Sequence, residues 1–229
     1  MSGFGAPQSY WDTVLPEIAA QTTVVTFDRA GVGKSEIGSL PTHGLQSAKD
    51  LRSLLGQLKV PTPYVLVGHS YGGNVVRLFA SSYPDSVGGI ILEDSQHEDA
   101  LEEQRKILEG EDLDQFEQLA ARFGTPDDPK TELDYINITK EQVRESKPLP
   151  EVPFVVLTAG DRNAGMPPMF SEAARKNLGE LGLSLQKRLV ALVPGGKQIV
   201  VEGVGHNMHV EKPDALINPL VQMIKEIRK

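Results

Sequence analysis

The sequence predicts an α/β protein with a mostly parallel sheet that helices cover on both faces. Short apolar runs rich in Val, Ile and Leu recur along the chain, and a helical pattern follows most of them. Apolar runs without polar alternation are typical of parallel strands buried on both faces. No apolar run approaches the roughly 18 residues that would indicate a membrane span.

Composition places the chain among ordinary globular proteins. It has 229 residues, 39% of them hydrophobic and 24% charged, which is enough for one sizeable domain or a domain with an insertion. The net charge of -8 argues against a nucleic-acid partner. The absence of cysteine excludes disulfides and thiol catalysis. The first residues lack the basic start and apolar core of a secretory signal, so we expect a cytoplasmic protein.

The apolar runs that we interpret as strands lie, in chain order, at residues 22–28, 64–67, 88–94, 153–160 and 197–203. Leucines at helical spacing over residues 51–58 precede the second run, and an amphipathic helical pattern over residues 214–229 ends the chain. Strands and helices therefore alternate, as in a parallel sheet whose crossovers are helical.

Residues 97–150 break this alternation, because they contain acidic helical stretches and no convincing strand. Such a stretch is either a solvated pair of helices or a helical cap inserted over the site. We favour the cap, since it interrupts an otherwise regular sheet. The expected organisation is an α/β core at residues 1–96 and 151–229 with the cap, residues 97–150, between its two parts.

The sequence Gly68-His69-Ser70-Tyr71-Gly72 lies between the second strand and a helix and fits the pattern G-x-S-x-G. A serine on so sharp a strand-to-helix turn occupies strained backbone space and needs small residues two before and two after it. The turn lifts Oγ clear of the sheet, near the free N–H groups of the following helix. Ser70 is therefore the candidate nucleophile.

Segments on both sides of this turn extend the pattern to nearly the whole chain. They are SGFG at residues 2–5, DRAGVGKS at residues 28–35 and GVGHNMHVEKPD at residues 203–214. Together with the elbow they resemble the α/β-hydrolase superfamily, in a branch whose first glycine loop lacks the usual preceding histidine. The resemblance implies the α/β-hydrolase fold, a serine hydrolase and a backbone oxyanion donor at Phe4. The residue after the nucleophile, Tyr71, is the other expected donor.

Serine needs a base, and five histidines are candidates. His206 follows the last strand and a glycine, where the Ser–acid–His order of this fold requires the base, so we assign it that role. His209 is expected to line the same loop or to pack beneath the last helix. His69 is expected to be a packing residue, and His43 and His97 are expected to be exposed.

Two aspartates are candidates for the acid that orients the base. Asp161 follows the strand at residues 153–160, the commoner source, but the familiar spacing falls on Asn163. Asp94 ends the preceding strand, from which some α/β-hydrolases take their acid. Asp94 is our first choice and Asp161 our second. Glu93 should point to the opposite face from Asp94.

The same resemblance implies that the first glycine loop follows a central strand, which would end at about Met1, and that two more strands normally precede it. We therefore expect a gap in the sheet between residues 22–28 and 64–67. One account is a hydrolase shortened at its N-terminus. The other is a sheet that closes differently in a protein that has lost activity.

The function predicted from these features is hydrolysis of a small-molecule carboxylic ester or amide through an acyl-enzyme intermediate. The alternatives are acyl transfer to an alcohol or amine and a non-catalytic ligand-binding protein that uses the old pocket. No cofactor and no metal are expected, since no cluster of His, Asp and Glu has the spacing of metal ligands.

Overall fold

The structure is a computed structural model that describes residues 1–38, 40–121, 130–162 and 168–229. At its centre four parallel strands lie side by side in chain order. They are β1 Tyr64–His69, β2 Val87–Glu93, β3 Phe154–Ala159 and β4 Lys197–Val201. The predicted α/β class with a parallel sheet is confirmed.

Helices of very different lengths surround this sheet. Within the described residues the α-helices are α1 Leu15–Ala19, α2 Gly44–Gln57, α3 Tyr71–Ser82, α4 Ala100–Ile107, α5 Gly110–Ala120, α6 Ile136–Arg144, α7 Glu172–Val190, α8 Met208–Glu211 and α9 Asp214–Ile227. Short 3-10 turns lie at Gln8–Trp11 and Pro84–Ser86. In the described part of the chain no helix is both long and apolar enough to cross a membrane.

Strand β2 shows why its run of apolar residues has no polar alternation. Ile90 and Leu92 pack into the apolar cluster formed with α2 and α3, whereas Ile91 packs into the cluster formed with α9. All three side chains are fully buried. Because successive side chains point to opposite faces of a sheet, both faces of β2 lie in a core.

The residues between β2 and β3 form α4, α5 and α6 and, where they are described, no strand. Helix α6 packs against α2 and α3. Its Thr139 hydroxyl accepts a hydrogen bond from the Gly44 N–H at 2.8 Å and lies 3.3 Å from the hydroxyl of Tyr71. This helical segment is therefore anchored beside the start of α3, where the G-x-S-x-G sequence lies. Its role as a cap, and the domain limits 97–150, stay predictions.

The strand expected at residues 22–28 is not formed, which corrects that prediction. These residues form no strand, and an apolar cavity of about 530 Å³ lies between them and β1. Val25 and Phe27 line one side of this cavity, and Val65 and Val67 line the other. The apolar run is thus present, but its backbone does not pair with a described strand. Whether further strands belong beside β1 stays a prediction.

Met1 forms backbone hydrogen bonds with the last residues of β1. Its amino group donates to the Val67 carbonyl at 2.6 Å, and its carbonyl accepts from the His69 N–H at 3.0 Å. These two bonds to residues flanking Gly68 have the pattern of a parallel strand neighbour. The first glycine loop is thereby placed next to the turn at Ser70.

The buried sheet centre gives a first stability prediction. Replacing the fully buried Ile90 by Ala should lower the free energy of unfolding by about 2–5 kcal/mol, because the core loses contacts and gains a cavity. Ile199 on β4 is 40% exposed, so Ile199→Ala should change stability far less. Urea unfolding of both variants checks this. Equal effects would contradict a core centred on β2.

Candidate active site

The turn between β1 and α3 puts Ser70 in an unusual backbone conformation, with φ 51° and ψ -123°. Such a conformation costs a non-glycine residue about 1–3 kcal/mol and persists only where neighbours hold it. The Ser70 N–H donates to the Glu93 carbonyl at 3.1 Å, and the Ser70 carbonyl accepts from the N–H groups of Gly73 and Gln96, each at 3.1 Å. The end of β2 therefore fixes the strained residue.

The glycines around Ser70 are required by close backbone contacts. A Cβ on Gly68 would lie 2.7 Å from Cα of Gly73, and a Cβ on Gly72 would lie 2.2 Å from the Met1 carbonyl oxygen. Backbone atoms cannot give way as a flexible side chain can. The elbow thus excludes side chains at both positions, as expected from the steric argument.

His206 lies in the loop after β4, and its Nδ1 is 2.7 Å from Oδ2 of Asp94. The Asp94 carboxylate is 4% exposed, whereas the His206 side chain is 47% exposed. Asp94 has a positive φ of 39°, and the N–H of Ala159 donates to its other oxygen, Oδ1, at 3.3 Å. Arg162 donates to the same oxygen. The carboxylate is therefore fixed from two sides and presents one oxygen to the imidazole.

These partners keep Asp94 ionised. Burial by itself raises the pKa of this carboxyl, but the hydrogen bond from His206 and the charge of Arg162 act against it. Their sum, together with the Ala159 N–H, lowers the pKa of Asp94 below its ordinary value. A buried anion therefore faces the imidazole.

Asp161, the second candidate acid, is exposed, and its N–H donates to the Val204 carbonyl at 3.0 Å. It is Asp94 that lies at Nδ1 of His206. Asn163, the position at which the familiar spacing falls, lies outside the described residues.

His69 contacts the backbone of the loop that carries His206. Its Nε2 lies 2.9 Å from the His206 carbonyl oxygen, and the two rings are 4.6 Å apart. Since a carbonyl can only accept, Nε2 carries the proton in this contact. Burial lowers the pKa of His69 to about 4, so its ring stays neutral near pH 7. The expected packing role thus includes a hydrogen bond.

Glu93 and His209 form a second carboxylate–histidine pair at the end of β2. Oε1 of Glu93 accepts from the His209 N–H and lies 2.8 Å from its Nδ1. Both side chains are fully buried, and the His209 ring lies 4.5 Å from that of Trp11. Glu93 therefore pairs with His209, whereas the neighbouring Asp94 pairs with His206.

Two other histidines differ from expectation. His97 is buried, with Nδ1 3.5 Å from Oε2 of Glu98, so the prediction that it is exposed was wrong. The ion pair of Glu98 with Arg77 draws this segment onto α3. His43 is half-buried, and its Nδ1 accepts from the Gln46 N–H at 3.1 Å, which caps α2.

The two residues expected to supply the oxyanion donors, Phe4 and Tyr71, contact each other near Ser70. A Cβ on Gly3 would be 3.3 Å from Cβ of Ser70, so the loop that carries Phe4 passes directly beside the serine. The rings of Phe4 and Tyr71 meet edge to face at 6.1 Å. Tyr71 is the first residue of α3, where helical N–H groups have no partner within the helix. Both residues thus lie close to the candidate nucleophile in the chain or in space, and their role as donors stays a prediction.

Nothing in the described residues suggests a metal centre, since no three His, Asp or Glu side chains converge there as a metal would require. The chemistry at Ser70 can be carried by a hydroxyl, an imidazole paired with a carboxylate, and backbone N–H groups.

Comparison with known proteins assigns the family. The family model described as "Alpha/beta hydrolase family" matches residues 1–218. The chain therefore belongs to the alpha/beta hydrolase family.

Its relatives are distant. An uncharacterized Bacillus subtilis protein, YqjL, is 25% identical over 224 residues, which are 93% of this chain and 77% of that protein. A human (lyso)-N-acylphosphatidylethanolamine lipase is 30% identical over 99 residues, or 40% of this chain. The chain spans only 28% of that lipase's length. These relatives include a lipase, but the match to it is partial.

Solved structures share the fold. A thermophilic esterase from Thermogutta terrifontis superposes with a TM-score of 0.66 at 20% identity, covering 100% of this chain and 89% of the esterase. MenH from S. aureus gives a TM-score of 0.63 at 18% identity, covering 100% of this chain and 93% of MenH. Such low identities establish the alpha/beta hydrolase fold alone.

The lowered pKa of His69 predicts a pH effect on stability. The unfolded chain binds a proton at this residue below about pH 6.5, whereas the folded chain does so only near pH 4. Because the unfolded state binds more protons in this window, stability falls as the pH is lowered through it, by up to about 3 kcal/mol.

Urea unfolding at several pH values checks this prediction against His69→Gln, whose amide keeps a donor for the His206 carbonyl. The variant should lose less stability between pH 6.5 and 4 than the wild type. Parallel losses in the two proteins would contradict a neutral, buried His69.

Proposed function

We propose that the protein is a serine hydrolase that cleaves a small-molecule carboxylic ester or amide through an acyl-enzyme intermediate. The observation that carries the proposal is the position of His206. Its Nδ1 is held 2.7 Å from the buried Asp94 carboxylate, and its ring lies 4.6 Å from that of His69, the residue before Ser70. Serine becomes a useful nucleophile when a base oriented by a third group accepts its proton.

In the first step Nε2 of His206 takes the proton of the Ser70 hydroxyl as Oγ attacks the substrate carbonyl. Asp94 accepts the Nδ1 hydrogen bond and stabilises the imidazolium that forms. The lowered pKa of Asp94 keeps this carboxylate charged, as the role requires.

The carbonyl oxygen gains negative charge in the tetrahedral intermediate, and the N–H groups of Phe4 and Tyr71 donate to it. His206 then gives its proton to the leaving alcohol or amine, which leaves an acyl group on Ser70. Water attacks the acyl-enzyme, with His206 as the base again, and the acid is released. Losing one oxyanion donor typically lowers the rate about 10²–10³-fold.

The esterase among the structural neighbours and the lipase among the relatives favour ester or amide chemistry. A soluble epoxide hydrolase from Corynebacterium is also similar, at 35% identity over 92 residues. Epoxide opening by a covalent route needs a carboxylate where this chain has Ser70, so we favour acyl chemistry.

Covalent labelling tests the proposal. The folded wild type should gain one fluorophosphonate adduct, measured by intact mass, and Ser70→Ala should gain none, because the activated hydroxyl is missing. Ser146→Ala, which removes a hydroxyl that bonds the Val143 carbonyl away from the site, is the control and should label like the wild type.

If the folded wild type gains no adduct, the hydrolase proposal fails and the ligand-binding alternative gains support. Where labelling succeeds, an ester panel assayed with and without a competing alcohol separates hydrolysis from acyl transfer by the product formed.

The choice of acid gives a separate prediction. Asp94→Asn should lower kcat by roughly 10⁴-fold, since an amide no longer stabilises the imidazolium or fixes its tautomer. Asp161→Asn should leave kcat within a few fold. Ester hydrolysis by the two variants, each checked for folding by circular dichroism, measures the difference. The reverse order of effects would make Asp161 the acid.

A further inference from the structure

Arg29 and Glu132 form a buried ion pair beside the first glycine loop. Nε of Arg29 donates to Oε2 of Glu132 at 2.7 Å, and Nη2 donates to Oε1 at 2.7 Å. Their side chains are only 3% and 4% exposed. Neither residue is one of the three side chains of the proposed mechanism, which are those of Ser70, His206 and Asp94.

The pair also holds the backbone of residues 2–5 at three points. Arg29 donates from Nη1 to the Ser2 carbonyl at 2.7 Å and from Nη2 to the Gly3 carbonyl at 2.8 Å. Glu132 accepts from the Gly5 N–H through Oε1 at 2.7 Å. These bonds therefore lie on both sides of Phe4. The Phe4 N–H itself donates no hydrogen bond to any of the described residues.

The arrangement uses the fixed geometry of the guanidinium group. Four of its five N–H donors are engaged, in one plane, with two carboxylate oxygens and two carbonyl oxygens. Its Cζ also lies 5.3 Å from the ring centre of Tyr71. Arg29 thus contacts the Gly3 carbonyl, which precedes the Phe4 N–H in the chain, and the ring of Tyr71, the other expected donor.

Glu132 comes from the helical segment between β2 and β3 and reaches the loop across 127 residues of sequence. The same segment is fixed on α2 and α3 through Thr139. The placement of residues 2–5 therefore depends on this segment as well as on the core.

We propose that Arg29 and Glu132 are positioning residues that hold the loop of residues 2–5 so that the Phe4 N–H faces the oxyanion formed at Ser70. This inference rests on the proposed hydrolase function. Pre-aligned donors act where charge develops in the transition state, so the pair serves kcat rather than substrate affinity.

Glu132→Gln tests the role with little change of shape. Its matched control is Glu117→Gln, which also removes a carboxylate paired with an arginine, Arg105, but at an exposed site of the same helical segment. With a p-nitrophenyl acetate assay, Glu132→Gln should lower kcat roughly 10–100-fold, short of the loss of a whole donor. KM and the pH profile should stay near wild type, and Glu117→Gln should behave like the wild type.

Hydrogen exchange of the N-terminal peptide gives a readout that needs no activity. The amides of residues 2–5 should exchange faster in Glu132→Gln than in Glu117→Gln. If the wild type hydrolyses the ester but Glu132→Gln keeps full kcat and slow exchange, the positioning role is wrong. A wild type that is inactive and unlabelled at Ser70 instead overturns the hydrolase proposal. In that case the exchange comparison still tests whether Arg29 and Glu132 hold the loop of residues 2–5.

Should Glu132→Gln fail to fold, Arg29→Lys replaces it. Lysine keeps the charge beside Glu132, but its single ammonium cannot hold both carboxylate oxygens and both carbonyls in one plane. A folded Arg29→Lys protein with lowered kcat and faster loop exchange supports the proposal. Wild-type values for both would overturn it.

Discussion

The strained backbone of Ser70 is the constraint on which the rest of the site depends. The positive φ of Ser70 is maintained because its N–H donates to the Glu93 carbonyl and its carbonyl accepts from the Gly73 and Gln96 N–H groups. The same tight turn leaves no room for a Cβ at Gly68 or Gly72. A local cost of about 1–3 kcal/mol is thus offset by contacts from neighbouring strands. The turn places Ser70 directly before the first residue of α3, which is the position that a nucleophile elbow requires.

The end of β2 separates two adjacent carboxylates. Glu93 pairs with the fully buried His209, and Asp94 pairs with the half-exposed His206. The first pair lies against Trp11 and fixes the start of α8, since the His209 N–H also bonds Glu93. The second leaves the imidazole half-exposed, as its role in the proposed mechanism requires. Two carboxylates that are adjacent in the sequence therefore have different roles. Glu93 is structural, and Asp94 is the acid of the proposed mechanism.

Local signals in the sequence were enough for the elbow and the parallel sheet, because glycine spacing and unbroken apolar runs depend on neighbouring residues. The strand at residues 22–28 was predicted wrongly, since strand formation also needs a partner and a cavity lies beside β1. The choice between Asp94 and Asp161 stayed open because both follow strands. The pairing of Arg29 with Glu132 was missed, because it joins positions 103 residues apart and no periodic pattern in the sequence indicates it.

The site is assembled from segments that are remote in the chain. The loop of residues 2–5, the elbow, the end of β2 and the His206 loop converge on Ser70, and each is fixed by buried polar contacts rather than by apolar packing alone. Such contacts are directional and are expensive to leave half made. The chain therefore reaches this geometry only when the core and the helical segment carrying Glu132 are both in place. This argues that any activity at Ser70 is coupled to the docking of that segment.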